Sequence, residues 1–263
     1  MTKGDDMSSI LQTPQTVTTA NVPVRTPSVG TGGVAVRGQW LPSADQIADW
    51  SLDARIVHLF AEIGTPVVVP RNGELYAEDG QVDNLYRIES GVIRTCKILN
   101  DGRRQIDGFY MAGDIVGLEV GRRHQYCAEA VCRATLRAVR MRTVHAQIEA
   151  GGDLSCALWE MTARELLRSQ QHILLLGRRS AQERVGCFLL ALASRIAGRN
   201  VLETANVLFD LPMSRQDIAD YLGLTIETVS RTFTQLEAMG VIALESARTV
   251  RLSNRAALRE MNG

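Results

Sequence analysis

The spacing of apolar residues changes several times along the chain. Residues 1–38 show neither a helical nor a strand period and are rich in Thr, Val, Pro, Gly and Ser. With Thr13-Pro14, Val22-Pro23, Thr26-Pro27 and Gly30-Thr31-Gly32-Gly33 they read as a flexible tail ending near residue 41. Over residues 42–63, Ile47, Trp50, Leu52, Ile56, Leu59 and Phe60 recur as on one face of a helix. Short strand-like runs follow at 67–69, 85–88, 91–98, 103–110 and 133–142, and Asn100-Asp101-Gly102 predicts a hairpin turn. Many short strands at even spacing predict an antiparallel β-roll. The period then becomes helical over residues 153–176. Trp159, Leu166 and Ile173 recur every seven residues, with Thr162, Ser169 and Leu176 three later. That is a heptad seam; a helix lying on its own β-roll is the competing reading. Gly177-Arg178-Arg179-Ser180 predicts an interruption and a hinge. Residues 181–196 predict a further helix with Val185, Phe188, Leu189 and Leu192 on its apolar face.

The most specific pattern lies at residues 214–231. Two short helices joined by a tight turn fit it, with Ile218, Leu222, Leu224 and Val229 as a shared apolar seam. Small Ala219 allows close approach of the helices, and Gly223 supplies the positive φ of the turn. Thr225 can cap the second helix, its oxygen accepting a free backbone N–H. Glu227, Ser230 and Arg231 then share one outward face. An ordinary helical hairpin explains the apolar seam equally well. It does not explain a small residue, a glycine and an apolar residue at positions 5, 9 and 15 counted from Arg215. Nor does it explain the strand-like runs at 241–244 and 248–252 about Glu245-Ser246-Ala247, which read as a β-wing. The segment predicts a winged helix-turn-helix that binds DNA.

Residues 211–231 (Leu-Pro-Met-Ser-Arg-Gln-Asp-Ile-Ala-Asp-Tyr-Leu-Gly-Leu-Thr-Ile-Glu-Thr-Val-Ser-Arg) resemble the DNA-binding segment of the CRP/FNR family of bacterial transcription regulators. The spacing of Glu227, Ser230 and Arg231 is similar to the FNR and FixK branches, whereas the CRP branch would have Gly in place of Ser230. Glu89-Ser90-Gly91-Val92 and Gly113-Asp114 resemble the cyclic-nucleotide-binding-like domain of the same family, and the likeness extends over about residues 50–260. The resemblance implies an α+β fold: an antiparallel β-roll (a cyclic-nucleotide-binding-like jelly roll), a long dimerisation helix and a C-terminal winged helix-turn-helix. The corresponding divisions are a tail at 1–41, the roll at 42–150, the helix at 151–178 and the DNA-binding domain at 179–263. Trp159, Leu166, Ile173 and Leu176 would form the homodimer seam.

By the same match, Arg231 donates to guanine, Glu227 accepts from cytosine and Ser230 makes a weaker base contact. Gln216, Thr225 and Thr228 are placed for phosphates. A two-fold dimer implies an inverted repeat with half-site centres about 10 bp apart, and the resemblance suggests TTGA-N6-TCAA-like operators. The implied partners are double-stranded DNA, a second copy of the chain and RNA polymerase. The implied role is an activator of low-oxygen respiration or nitrogen-fixation genes, without enzymatic activity.

Charge alone does not point to nucleic acid, since the formal net charge is +0. Residues 200–263 hold six Arg against eight Asp or Glu, so any DNA contact needs a local patch. Arg178, Arg179 and Arg184 supply a second cationic source just before that domain. Five Cys, no secretory signal and no long apolar run indicate a reducing, cytoplasmic setting and no membrane partner.

Familiar effector sites are missing at sequence level. In the loop at 117–127, Glu119 could stand in for a ribose-binding acid, but Tyr126-Cys127 occupies the place of the expected Arg-Ser pair. Arg122 and Arg123 read as solvated loop cations, so cAMP binding is not expected. An iron–sulfur cluster needs four converging ligands, and no Cys precedes Cys96. Cys127 and Cys132 should point to opposite faces, and the thiols, including Cys156 and Cys187, read as buried and structural. His58, His124, His145 and His172 show no metal spacing, so neither metal nor cofactor is expected. A cupin-type enzyme would need clustered His and Glu ligands, and the roll offers only His124 near a plausible loop. A haem or small-acid sensor still acting on DNA stays open, and a Soret band would reveal haem.

Overall fold

The computed structural model describes residues 54–119, 121–150, 154–197 and 206–261. The expected tail and the positions Ile47, Trp50 and Leu52 lie outside the described residues. Helix α1 (Ala54–Ile63) leads into a roll of eight strands: β1 (Thr65–Val69), β2 (Glu74–Tyr76), β3 (Asn84–Ser90), β4 (Val92–Ile98), β5 (Arg104–Met111), β6 (Ile115–Val116), β7 (Cys127–Ala130) and β8 (Ala134–Arg140). They form two four-stranded antiparallel sheets, ordered β1-β8-β3-β6 and β2-β7-β4-β5. Ile88 and Leu136 of the first sheet meet Ile93, Ala128 and Ala130 of the second in a buried core. Burying each large aliphatic side chain contributes roughly 1.5–3 kcal/mol. Strands β2 and β6 were not predicted, being too short to show alternation, whereas Cys127 lies on strand as expected.

The turn between β3 and β4 needs Gly91. Its φ is 86°, and a Cβ there would lie 2.5 Å from the Arg133 carbonyl oxygen. The β4–β5 hairpin closes through the expected Asn-Asp-Gly turn, with the Gly102 N–H donating to the Leu99 carbonyl at 2.9 Å.

After α2 (Met141–Glu149), the long helix α3 runs from Leu154 to Arg178. Leu154, Ala157 and Leu158 at its start pack with Ile56 and Phe60 of α1 and with Leu85, Val139 and Val144. Helix α3 continues through Gly177, and the expected interruption shrinks to Arg179 and Ser180. Arg184 explains the tight junction. Its guanidinium donates to the carbonyls of Leu176, Arg179 and Leu222, at 2.7, 2.9 and 3.0 Å. A cation is favoured against such carbonyls at helix C-termini. The expectation that Arg184 adds to a DNA-facing cationic source is therefore corrected, because its donors tie helix ends together.

The C-terminal region comprises α4 (Ala181–Ala197), β9 (Val207–Asp210), α5 (Arg215–Leu222), α6 (Ile226–Ala238), β10 (Ile242–Leu244), β11 (Thr249–Leu252) and α7 (Arg255–Glu260). The predicted two-stranded wing has a third strand, since β9 pairs with β11 through Phe209 opposite Val250 and Val207 opposite Leu252. Val185, Leu189, Ile218, Leu222, Val229, Phe233, Leu236 and Leu258 are buried together.

This region is tied to the β4–β5 side of the roll by charge. Arg94 donates to Asp217 at 3.0 Å and to Glu129 at 2.6 Å, while Arg104 reaches Asp217 at 2.6 Å and Asp220 at 2.7 Å. Arg195 pairs with Asp114 and also donates to the Phe109 carbonyl. None of these pairs was predicted from the sequence. Among the described residues no helix is long and apolar enough to cross a membrane.

Candidate nucleic-acid interface

Helix α5 begins with a capping box. The Asp217 N–H donates to Ser214 Oγ at 3.1 Å, while the Asp217 carboxylate accepts from the Ser214 N–H at 3.0 Å. Such a cap is worth about 1 kcal/mol. The Ser-x-x-Asp spacing carries this signal in the sequence. Burial alone pushes the Asp217 carboxyl up, but Ser214, Arg94 and Arg104 together hold it below the usual carboxylate range.

Gly223 ends α5 at φ 62° and ψ 40°, as expected of the turn. A side chain there would have room, its nearest neighbours lying 3.6 Å or more away, so the backbone conformation is what favours glycine. Thr225 then caps α6, accepting from the Thr228 N–H at 3.2 Å. Ile218, Ala219, Leu222 and Val229 are fully buried between the two helices, and Leu224 is half-buried.

That packing decides what α6 shows to solvent. Glu227, Ser230 and Arg231 are all exposed along one face. The backbone N–H of Glu227 and the Thr225 hydroxyl hold its carboxyl below its ordinary value, so it is an acceptor at neutral pH. Arg231 presents a fork of donors and Ser230 a small hydroxyl. Gln216 is also exposed, though its amide donates to Asp220 at 2.6 Å. The Thr228 hydroxyl is paired with that of Thr225 at 3.1 Å. Arg215 lies flat on the Phe233 ring at 3.3 Å, and burial pushes its guanidinium down to about 10, still charged at neutral pH.

The four seam residues do not share one environment. Trp159, Leu166 and Ile173 are 74%, 59% and 67% exposed, an uncovered apolar stripe along α3. Leu176 is half-buried beside the turn of the helix-turn-helix. Thr162, in the seam's second position, turns its hydroxyl back to the Leu158 carbonyl at 2.8 Å.

In the roll, Glu119 is engaged internally. It bonds His124 Nδ1 at 2.8 Å and accepts from the Gln125 N–H at 2.5 Å. His124 is buried and stacks on Tyr76 with ring centroids 3.7 Å apart. Arg123 donates to the Asp79 carbonyl at 2.6 Å, and Arg122 is exposed. The expectation of buried, separate thiols is corrected. Cys156 is exposed, and Cys96 and Cys127 face each other across β4 and β7 with Sγ atoms 3.1 Å apart. Pairing of neighbouring strands brought them together, and no local pattern announces it.

Two family models match the chain: a Crp-like helix-turn-helix domain over residues 183–261 and a cyclic nucleotide-binding domain over residues 66–150. The nitrogen fixation regulation protein FixK of Azorhizobium caulinodans is 49% identical over 209 residues, covering 80% of this chain and 84% of that protein. The FixK protein of Bradyrhizobium diazoefficiens is 42% identical, covering 74% and 81%. The solved structure of FixK2 from Bradyrhizobium japonicum superposes with a TM-score of 0.70 at 38% identity, covering 76% of this chain and 98% of that one.

Proposed function

The chain belongs to the CRP/FNR family of non-enzymatic, DNA-binding transcription regulators, and from that premise we propose that it is a homodimeric activator that reads TTGA-N6-TCAA-like inverted repeats. The observation that carries the reading is the capped, outward face of α6. Glu227, Ser230 and Arg231 combine an anionic acceptor, a hydroxyl and a cationic fork on one exposed strip. Arg231 donates to guanine O6 and N7, Glu227 accepts from cytosine N4, and Ser230 adds a weaker contact. Gln216, Thr225 and Thr228 meet phosphates and fix register.

The apolar stripe of Trp159, Leu166 and Ile173 supports pairing of two α3 helices, with Leu176 at its end. The chain divides into a tail at 1–41, a roll at 42–150, a dimerisation helix at 151–178 and a DNA-binding domain at 179–263. FixK relatives named for regulating nitrogen fixation support control of nitrogen-fixation genes; control of low-oxygen respiration genes, and action in the cytoplasm through RNA polymerase, rest on the family resemblance.

Arg231→Ala tests the reading. It removes an exposed contact and no core atoms, so the protein should stay folded while specific binding is lost. The loss should be roughly 1–3 kcal/mol per half-site, twice over in a dimer. A gel shift showing near wild-type affinity for the inverted repeat would reject α6 as the reading helix.

A further inference from the structure

The roll holds one chemistry that DNA reading does not use. In the antiparallel pairing of β4 with β7, Arg94 lies opposite Glu129 and Cys96 lies opposite Cys127. Alternate residues of a strand share a face, so these pairs are successive rungs on one face. The two Sγ atoms stand 3.1 Å apart, and Cys127 Sγ also donates to the Cys96 carbonyl at 3.0 Å. Directly opposed residues of an antiparallel ladder have Cα atoms about 4.5–5.5 Å apart, within the span a disulfide bridges. Closing the bond therefore moves sulfur by about 1 Å and leaves the ladder in register. Cys96 is 1% exposed, while half-buried Cys127 is open to a small oxidant.

A metal ion is the competing occupant, because Cys96, Cys127 and Glu129 offer ligand atoms within 4.8 Å of one another. Glu129 is already engaged, accepting from Arg94 at 2.6 and 2.9 Å. Both of those bonds go to Oε2, so a cation taken on Oε1 would lie against the Arg94 guanidinium, which also holds Asp217 of α5, and like charges at that range repel. The geometry favours sulfur–sulfur bonding.

We propose that Cys96 and Cys127 are a peroxide-sensitive dithiol that closes to a cross-strand disulfide, and that closure weakens operator binding through the neighbouring Arg94–Glu129 rung. The first half stands by itself; the second rests on the DNA-binding role above. Cys127 is the attacking sulfur. Its hydrogen bond with Cys96 lowers its pKa against the opposing effect of burial, and the same bond, with burial, raises that of Cys96. The Cys127 thiolate attacks a peroxide oxygen, the O–O bond breaks, and water leaves to give a sulfenic acid. Cys96 sulfur then attacks that sulfur, the S–O bond breaks, and a second water leaves. Overall two thiols lose two electrons and two protons, which pass to one hydrogen peroxide and leave it as two waters.

The oxidised rung acts through a short relay. In the dithiol form Glu129, Arg94 and Asp217 are already at bonding distance. A displacement of the adjacent rung disturbs those contacts, and Asp217 is the capping-box partner of Ser214 at the start of the first helix of the helix-turn-helix.

The test uses the full chain carrying Cys132→Ser, so that the tryptic peptide containing Cys127 has a single thiol. With a chelator present, hydrogen peroxide should lower the intact mass by two hydrogens. Digestion should release a peptide joining Cys96 to Cys127, and dithiothreitol should reverse both changes. Cys127→Ser, at the less buried position, should abolish the mass change. Operator affinity should fall about tenfold on oxidation, the scale of one lost charge-assisted hydrogen bond, and should not fall in Cys127→Ser. Absence of the linked peptide overturns the disulfide. A linked peptide with unchanged affinity, or an equal fall in Cys127→Ser, overturns the coupling. The mass measurement needs no operator, so its failure is distinct from failure of the DNA-binding reading.

Discussion

In the winged helix the polar side chains of α6 face outward, whereas the corresponding candidates in the roll face one another. Glu227, Ser230 and Arg231 stand exposed on a helix whose opposite face is buried. Glu119 is bonded to His124 and Gln125, and Arg94 is held between Glu129 and Asp217. Among the described residues, these candidates of the roll are paired internally, whereas those of α6 stand open to a partner. A polar group already desolvated and paired inside the fold has little to offer a ligand, because binding must first break that pairing. The difference explains how one chain can pair an open polar strip on α6, the proposed reading face, with a roll whose ribose-binding candidate is internally satisfied.

Three measurements press on this contrast, beginning with the largest effect. Leu166→Asp combined with Ile173→Asp should give a monomer by light scattering, since it puts charge into the exposed stripe of α3. Operator affinity should then fall roughly a hundredfold or more, the scale of lost bivalency. A double variant that remains dimeric would place the interface elsewhere.

Next, Asp217→Ala should destabilise the fold by about 1–3 kcal/mol, because it breaks the capping box and leaves Arg94 with Glu129 alone and Arg104 with Asp220 alone. Thermal or urea unfolding reads this directly. The sign of the pH dependence follows from the direction of its shift. A carboxyl held low in the folded state stabilises above its unfolded value near 3.9, and that contribution is lost as pH falls through the folded one. Wild-type stability should therefore drop more steeply in acid than that of Asp217→Asn. Equal slopes would mean that this network does not link the roll to the winged helix.

The smallest expected effect is none. Adding cAMP should leave operator affinity unchanged, because an effector acts only through tighter binding to the DNA-competent state. Glu119 is not free to take a ribose, and Tyr126-Cys127 offers no cation for a cyclic phosphate. A tenfold gain with cAMP would show that the internal pairing in the roll opens, and Arg122 and Arg123 would be the first residues to substitute.

Legibility in the sequence followed the range of the interactions involved. The Gly223 turn, the Thr225 cap, the Asn100-Asp101-Gly102 hairpin and the seven-residue spacing of Trp159, Leu166 and Ile173 each depend on residues within one or two turns. Their chemistry is complete locally, so the order of residue types was enough to place them. The short strands β2, β6 and β9 lacked that advantage, being defined by pairing with distant neighbours.

The same reasoning separates what the chain's order of residues determined from what its tertiary structure decided. Helix starts, turns and the outward strip of α6 were determined by propensity, capping and period. The meeting of Cys96 with Cys127, 31 residues apart, and of Arg94 with Asp217, 123 apart, was decided by strand register and by packing of the winged helix on the roll. Arg184 shows the limit plainly: from sequence it is one of several cations near a DNA-binding segment, and only the fold supplies the three carbonyls that claim its donors. Partners at such separations are chosen by the burial of whole faces, a collective energy that no short window of residues contains.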